Sequence, residues 1–262
     1  MKLCTFEVAT HLGRHSRLGA YKDGRIIDLN FAAAWYLSQQ GESEPQPLAD
    51  AMVPHHLLDF LRAGLRATHT AEELFQTNPA LAAEWWKGDP PPRGPNDETL
   101  VYQPEQVKLR APLPHPARLG PDEDVRYGEK LDHEFKLAAV IGSQGTHVNA
   151  LGARQYIAGF TGMHDFGGRY TALGPCLVTP DEIGNPYNLE IAVRINGKEC
   201  GRTNSGVLRT RFEQMIETLT ENGAVLPGDI IGFRLDLDPP MTQGDLVELE
   251  IEKIGILRTR VV

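Results

Sequence analysis

The chain lacks most of what would tie it to a membrane, a nucleic acid or an oxidising compartment. Nowhere does it carry the run of about 18 apolar residues that a bilayer-crossing helix needs. The leading segment MKLCTFEVATHLGRH holds no apolar stretch long enough for a signal peptide. Positive charge is short as well: 26 Lys and Arg stand against 35 Asp and Glu, a formal net charge of −9. Phosphate backbones demand a cationic surplus, so nucleic acid is excluded as the main partner. Only three cysteines occur, Cys4, Cys176 and Cys200. They are odd in number, scattered, and form no C-x-x-C pair, which excludes a disulfide framework and a zinc knuckle. A reduced, cytoplasmic setting is expected. Internal repeats and low-complexity tracts are also missing.

What is present is the composition of an ordinary globular protein, 41% hydrophobic and 23% charged. Its 262 residues suffice for one large domain, or a small one beside a larger. Near the start, Leu18-Gly-Ala-Tyr21 and Arg25-Ile-Ile-Asp-Leu29 flank Lys22-Asp23-Gly24, and Asp-Gly between apolar runs signals a hairpin. From residue 31 to about 86 the texture is helical, with Leu57, Leu58, Leu61 and Leu65 on one face. The segment GDPPPRGP at 88–95 can hold neither helix nor central strand, so it reads as a linker. Domains are therefore expected at 1–95 and 96–262. Beyond the linker, EFKLAAVI at 134–141, LEIAVRI at 189–195 and LVELEI at 246–251 read as strands. Asn196-Gly197, Pro227-Gly228-Asp229 and Gly244-Asp245 read as the turns between strands. Helices are expected near 150–156 and 209–221. The fold class is mostly β with α, that is, α+β.

Several segments, taken in order, carry a resemblance. LDHEFKLAAVIG at 131–142 is similar to a strand bearing E-x-E, and YIAGFTGMHDFGGR at 156–169 to a G-y-t-x-x-N-D-x-S-A-R segment. GPCLVTPDEI at 174–183, Ile195-Asn-Gly197, LPGDII at 226–231, QGDLVELE at 243–250 and IGILRTR at 254–260 follow in register. Near the start, Arg17-Leu-Gly-Ala and Ile27-Asp-Leu-Asn30 also match. Together they resemble the fumarylacetoacetate hydrolase family. The resemblance implies a β-roll C-terminal domain behind a small N-terminal α/β domain, a homodimer, and a small keto or enol compound as substrate.

That family implies a divalent cation such as Mg²⁺ held by the E-x-E carboxylates and the aspartate, a donor set suited to a hard ion. Here Glu134 and Asp165 stand at two of those positions, and Lys136 replaces the second glutamate. Residues two apart on a strand share a face, so Glu134 and Lys136 should project together. An ammonium there would repel a divalent ion and neutralise the carboxylates, so no cofactor is expected, with Mg²⁺ on Glu134 and Asp165 as the alternative. The resemblance also implies a lid segment carrying a catalytic His, and here that lid is expected to be deleted, since no His lies between His115 and His133. The S-A-R continuation is cut to Arg169-Tyr-Thr-Ala-Leu173, and a G-T-x-x-G loop becomes GFRLDLDP at 232–239. All three changes fall where the family's pocket would be.

The candidate catalytic residues are Lys136, His164 and Arg169, and the candidate substrate-binding residues are Glu134, Asp165 and Arg169. Lys136 could anchor an anion, form a Schiff base with a ketone, or merely fill a dead pocket with salt bridges. His164, beside Asp165, could act as a general base or a ligand, or be a structural histidine. Arg169 could hold a substrate carboxylate bidentately or make a structural ion pair. His133 should face away from Glu134 and pack. Asp122, Glu123 and Asp124 form an acidic turn that could replace a ligand or simply be solvated. His55, His56, His147 and the Trp85-Trp86 pair form no constellation.

Three readings remain open. One is a divergent enzyme for decarboxylation, tautomerisation, dehydration or cyclisation, which needs only charge stabilisation and proton transfer. Another is a non-catalytic binding or structural protein, with Lys136 locked and no cavity beside it. The third is a metal-dependent C–C hydrolase with Glu134, Asp165 and His164 as replacement ligands.

Overall fold

The computed structural model describes residues 1–262 except 12, 23, 75–91, 114–117, 126–131 and 168–169. The chain divides into two compact units, Met1–Leu109 and Arg110–Val262. Most of the expected linker, and the Trp85-Trp86 pair, fall outside the described residues.

In the first unit, β1 (Lys2–Thr10) and β2 (Gly13–Lys22) form a long antiparallel hairpin, from Leu3 opposite Ala20 to Thr10 opposite Gly13. The expected hairpin joins β2 to β3 (Arg25–Asp28), and β4 (Val101–Tyr102) adds to β3. Asp28 ends β3 and caps α1 (Leu29–Gln39), its carboxylate accepting from Phe31 N at 3.0 Å. The same buried carboxylate is held by Arg17, whose guanidinium also lies over the Phe31 ring. The helical texture resolves into three further short helices: α2 (Pro45–Met52), α3 (Leu57–Ala63) and α4 (Leu65–Glu72). Gly64, at φ 72°, separates the last two. Leu57, Phe60 and Leu61 are buried, while Leu65 is 68% exposed because it opens a new helix rather than continuing the stripe.

A short strand, β5 (Lys108–Arg110), leads into the second unit, a sandwich of two sheets. The first sheet runs β13 (Ile230–Arg234), β8 (Glu134–Ile141), β9 (Ile157–Phe166), β10 (Tyr170–Val178), with β6 (Arg118–Leu119) parallel to β10. The second runs β12 (Lys198–Asn204), β11 (Glu190–Ile195), β14 (Leu246–Ile251), β15 (Gly255–Val261), β7 (Glu123–Val125). The sheets approach closely at Gly162, where an added Cβ would lie 2.9 Å from Gly174 O and about as far from Ile251 as ordinary packing allows.

Two helical expectations shift. Residues 150–156 form a turn and a 3₁₀ segment, Ala153–Tyr156, rather than a full helix. The second helix, α5 if the one-turn Pro180–Ile183 is left unnumbered, spans Phe212–Glu221. Its Phe212 packs on Phe160 and Phe233, with ring centroids 5.4 and 4.7 Å away. Strand β8, next to the edge strand β13, shows how the site is exposed. Phe135 and Leu137 are fully buried while Glu134 and Lys136 are not, and from Ala138 to Ile141 every residue is buried. Alternation at one end and a continuous apolar run at the other give a strand with one solvent-facing corner. Mixed α+β architecture is thus what the chain adopts.

Candidate active site

That corner carries the candidate site. Register sets it: Glu134 lies opposite Asp165 on β9, and Lys136 lies opposite Met163 on β9 and Arg234 on β13. Directly opposed side chains share a face, so four charged groups from three strands meet. Lys136 Nζ donates to Glu134 Oε2 at 2.8 Å and to Asp165 Oδ2 at 2.7 Å. Arg234 reaches the other oxygen of Glu134, Oε1, at 3.3 Å, and Asp238 Oδ2 at 3.5 Å. Gly232 leaves the space for the lysine stem, since a Cβ there would sit 3.1 Å from Met163 Sδ and 3.2 Å from Lys136 Cδ.

The electrostatics follow. Hydrogen bonding to Lys136 holds the Glu134 carboxyl below its ordinary range, despite some desolvation and the like charge of Asp165. Burial would lower the Lys136 ammonium, but its bonds to Asp165 and Glu134 outweigh this and raise it. Lysine stays charged, and an ammonium has three donors, of which two are used here.

A cleft of about 530 Å³ opens beside Glu134, lined by Asp132, His133, Arg234, Asp238, Pro239, Pro240 and Met241. Lys136 does not line it; its ammonium sits one hydrogen bond behind Glu134. The cleft is polar at the Glu134–Arg234 edge and apolar at the Pro239–Met241 wall.

His164, expected beside Asp165 as a base or ligand, lies instead in the core. Alternation along β9 turns it to the face opposite Asp165, opposite Phe135 in register and 1% exposed. Its ring stacks between Phe135 and Phe166, at 4.2 and 3.9 Å. Burial, then the neighbouring His133, lowers its pKa well below the ordinary histidine value. Its Nδ1 meets Thr259 Oγ1 at 3.2 Å and its Nε2 meets His133 Nδ1 at 3.3 Å, while His133 Nε2 meets the Pro239 carbonyl at 3.2 Å. A carbonyl only accepts, so one chain of donors fits neutral rings: Thr259 O–H to His164, His164 N–H to His133, His133 N–H to Pro239. Desolvation keeps His133 neutral too, partly offset by Asp238. The expected packing role of His133 is therefore joined to a second one, since it tethers the Pro239 wall of the cleft.

Arg169 lies outside the described residues, as does His115. In the acidic turn, Glu123 pairs with Arg110 and accepts from Gly120 N at 2.7 Å, and with Asp124 it belongs to β7 beside β15. Arg234 and Asp238 were not singled out from sequence. Their spacing of four within GFRLDLDP is the one signal, but the β13–β8 register that brings them to Glu134 is not local.

A divalent ion does not fit the residues present. The ammonium occupies the point where the Glu134 and Asp165 carboxylates converge. Glu134 and Asp165 are already neutralised by that ammonium, and Arg234 holds the other Glu134 oxygen, so little net negative charge is left to draw a divalent ion. Among the described residues no three His, Cys, Asp or Glu side chains come together to hold a metal, so His164 does not complete a set with Glu134 and Asp165.

The family model described as fumarylacetoacetate (FAA) hydrolase C-terminal matches residues 74–171 and 167–262. Oxaloacetate tautomerase FAHD2A, mitochondrial, of Bos taurus is 26% identical over 305 residues, spanning 100% of this chain and 92% of that protein. Its Homo sapiens counterpart is 33% identical over 176 residues, 55% of each chain. Among solved structures, maleylpyruvate hydrolase from Sphingobium sp. SYK-6 superposes with a TM-score of 0.71 at 20% identity, over 100% of this chain and 99% of that one. A second structure of that enzyme, in complex with manganese(II) ion and pyruvate, gives a TM-score of 0.70.

Proposed function

The chain belongs to the fumarylacetoacetate hydrolase family, and on that footing we propose an enzyme that interconverts the enol and keto forms of a small keto acid without hydrolysing it. The observation that carries this reading is the division of Glu134, one oxygen on Lys136 and the other on Arg234 at the mouth of the cleft. The bovine and human relatives are oxaloacetate tautomerases, and the same substrate class is the natural one to try here.

The chemistry needs one proton carrier and a fixed positive charge. A substrate carboxylate takes Arg234, whose contacts to Glu134 and Asp238 are long. Glu134 Oε1, released, accepts the enol O–H proton and returns a proton to the adjacent carbon. One O–H bond breaks, one C–H bond forms, and no water is consumed. Lys136, oriented by Asp165, sits behind Glu134 and holds that carboxylate ionised and in place, so that Oε1 faces the cleft. His164 has no route to substrate and takes no part.

A non-catalytic reading expects Lys136 locked with no cavity beside it; Lys136 is held by two ion pairs, but a cleft opens at its partner Glu134, and that cleft together with the enzyme relatives favours an enzyme. The reading includes a homodimer in a reducing, cytoplasmic compartment. No described helix is long and apolar enough to cross a membrane. The test is the loss of enol absorbance of oxaloacetate on adding the purified chain. Glu134→Gln and Lys136→Met should each slow it by about 100-fold or more, and Arg234→Ala should chiefly raise KM. A wild-type chain that leaves the spontaneous ketonisation rate unchanged, for oxaloacetate and related 2-keto acids, sinks the proposal.

A further inference from the structure

We infer that Lys136 is a built-in cation that has taken over a divalent-ion position, so that this one side chain decides whether the site binds metal. Three observations carry it. Glu134 and Asp165 are cross-strand partners whose oxygens converge on a single point, and Nζ of Lys136 occupies that point at 2.8 and 2.7 Å. Lys136 leaves the strand on the same face two residues on, and Gly232 leaves its stem room, so position 136 aims at the same point as its two partners. The donors already there are carboxylate oxygens, which suit a hard divalent ion once the ammonium is gone. Replacing Lys136 with a carboxylate removes the repelling charge and supplies a third oxygen ligand in one step.

The inference concerns binding and holds whichever reaction the site performs, so its test is run without substrate. The full chain, freed of metal with a chelator and dialysed, is titrated with Mn²⁺, and free Mn²⁺ is read by electron paramagnetic resonance. Wild type should show no saturable binding into the millimolar range. Lys136→Glu should bind one Mn²⁺ per chain at micromolar concentrations, and adding Asp165→Asn should weaken that at least about tenfold. Should Lys136→Glu fail to fold by circular dichroism, Lys136→Gln serves in its place, with saturable binding at least about tenfold tighter than wild type expected. Two results overturn the inference: wild type binding one Mn²⁺ that Glu134→Gln abolishes, or folded position-136 variants binding no more tightly than wild type. Neither outcome touches ketonisation by the chelated protein, so the failure of this inference and of the proposed reaction are told apart.

Discussion

Lys136→Met removes one ammonium and leaves two carboxylates facing each other across β8 and β9. Its cost lies between two limits. Breaking a fully buried ion pair costs about 3–5 kcal/mol, while an exposed pair contributes about 0–1 kcal/mol. The Lys136 and Asp165 side chains are 16% and 19% exposed, but Glu134 is 37% exposed and keeps Arg234. Two charge-assisted bonds, one of them largely screened, then amount to about 2 kcal/mol, a fall in Tm of about 4–8 °C. Met fills the same stem space above Gly232, so the loss reports charge rather than packing. The pH window follows from the shifts. Glu134 is lowered from 4.5, so its share is present above that value and lost as pH falls through its folded pKa. Lys136 is raised from 10.5, so its share is present below that value and lost as pH rises through its folded pKa. The difference between wild type and Lys136→Met, from urea melts, should be flat between these limits and shrink outside them. In a double-mutant cycle, Lys136→Met and Asp165→Asn should couple by about 1 kcal/mol or more. A variant within about 0.5 kcal/mol of wild type, or additive effects, refutes the ion-pair account.

His164 is neutral in the folded state and protonates on unfolding, so stability should fall as pH drops below 6.5. Each proton fully taken up on unfolding contributes about 1.4 kcal/mol per pH unit, and urea midpoints of His164→Gln should show a visibly shallower slope between about pH 7 and 5. Gly232→Val puts branched carbons against Met163 Sδ and the Lys136 stem; because Gly232 is exposed and both neighbours are flexible, it should cost less than about 1 kcal/mol in the same assay yet impair ketonisation by displacing Lys136, with Gly232→Ala milder.

How much of this was legible in the sequence depended on range. The hairpin around residue 24, the strands EFKLAAVI, LEIAVRI and LVELEI, and the projection of Glu134 with Lys136 follow from local turn chemistry and a two-residue period, and they stand in the structure. The same period, carried from Asp165 to its neighbour His164, already implies that the two face opposite ways; adjacency in sequence is not adjacency in a strand. Arg234 and Asp238 could not be read, because only the pairing of β13 with β8 sets Arg234 beside Glu134. Nor could the His133–His164–Thr259 chain, whose members come from two sheets and 126 positions of sequence, from 133 to 259. Leu65 shows the limit of stripe counting, since Gly64 breaks the helix before the pattern is complete.

The most direct test of the central claim is ketonisation of a 2-keto dicarboxylate enol by the chain kept in excess chelator, beside the Lys136→Met variant with and without Mg²⁺. The account predicts undiminished turnover in the chelated wild type that Mg²⁺ does not raise, and a loss of about 100-fold or more in the chelated variant. Wild-type turnover that vanishes with chelator and returns with Mg²⁺ would contradict it.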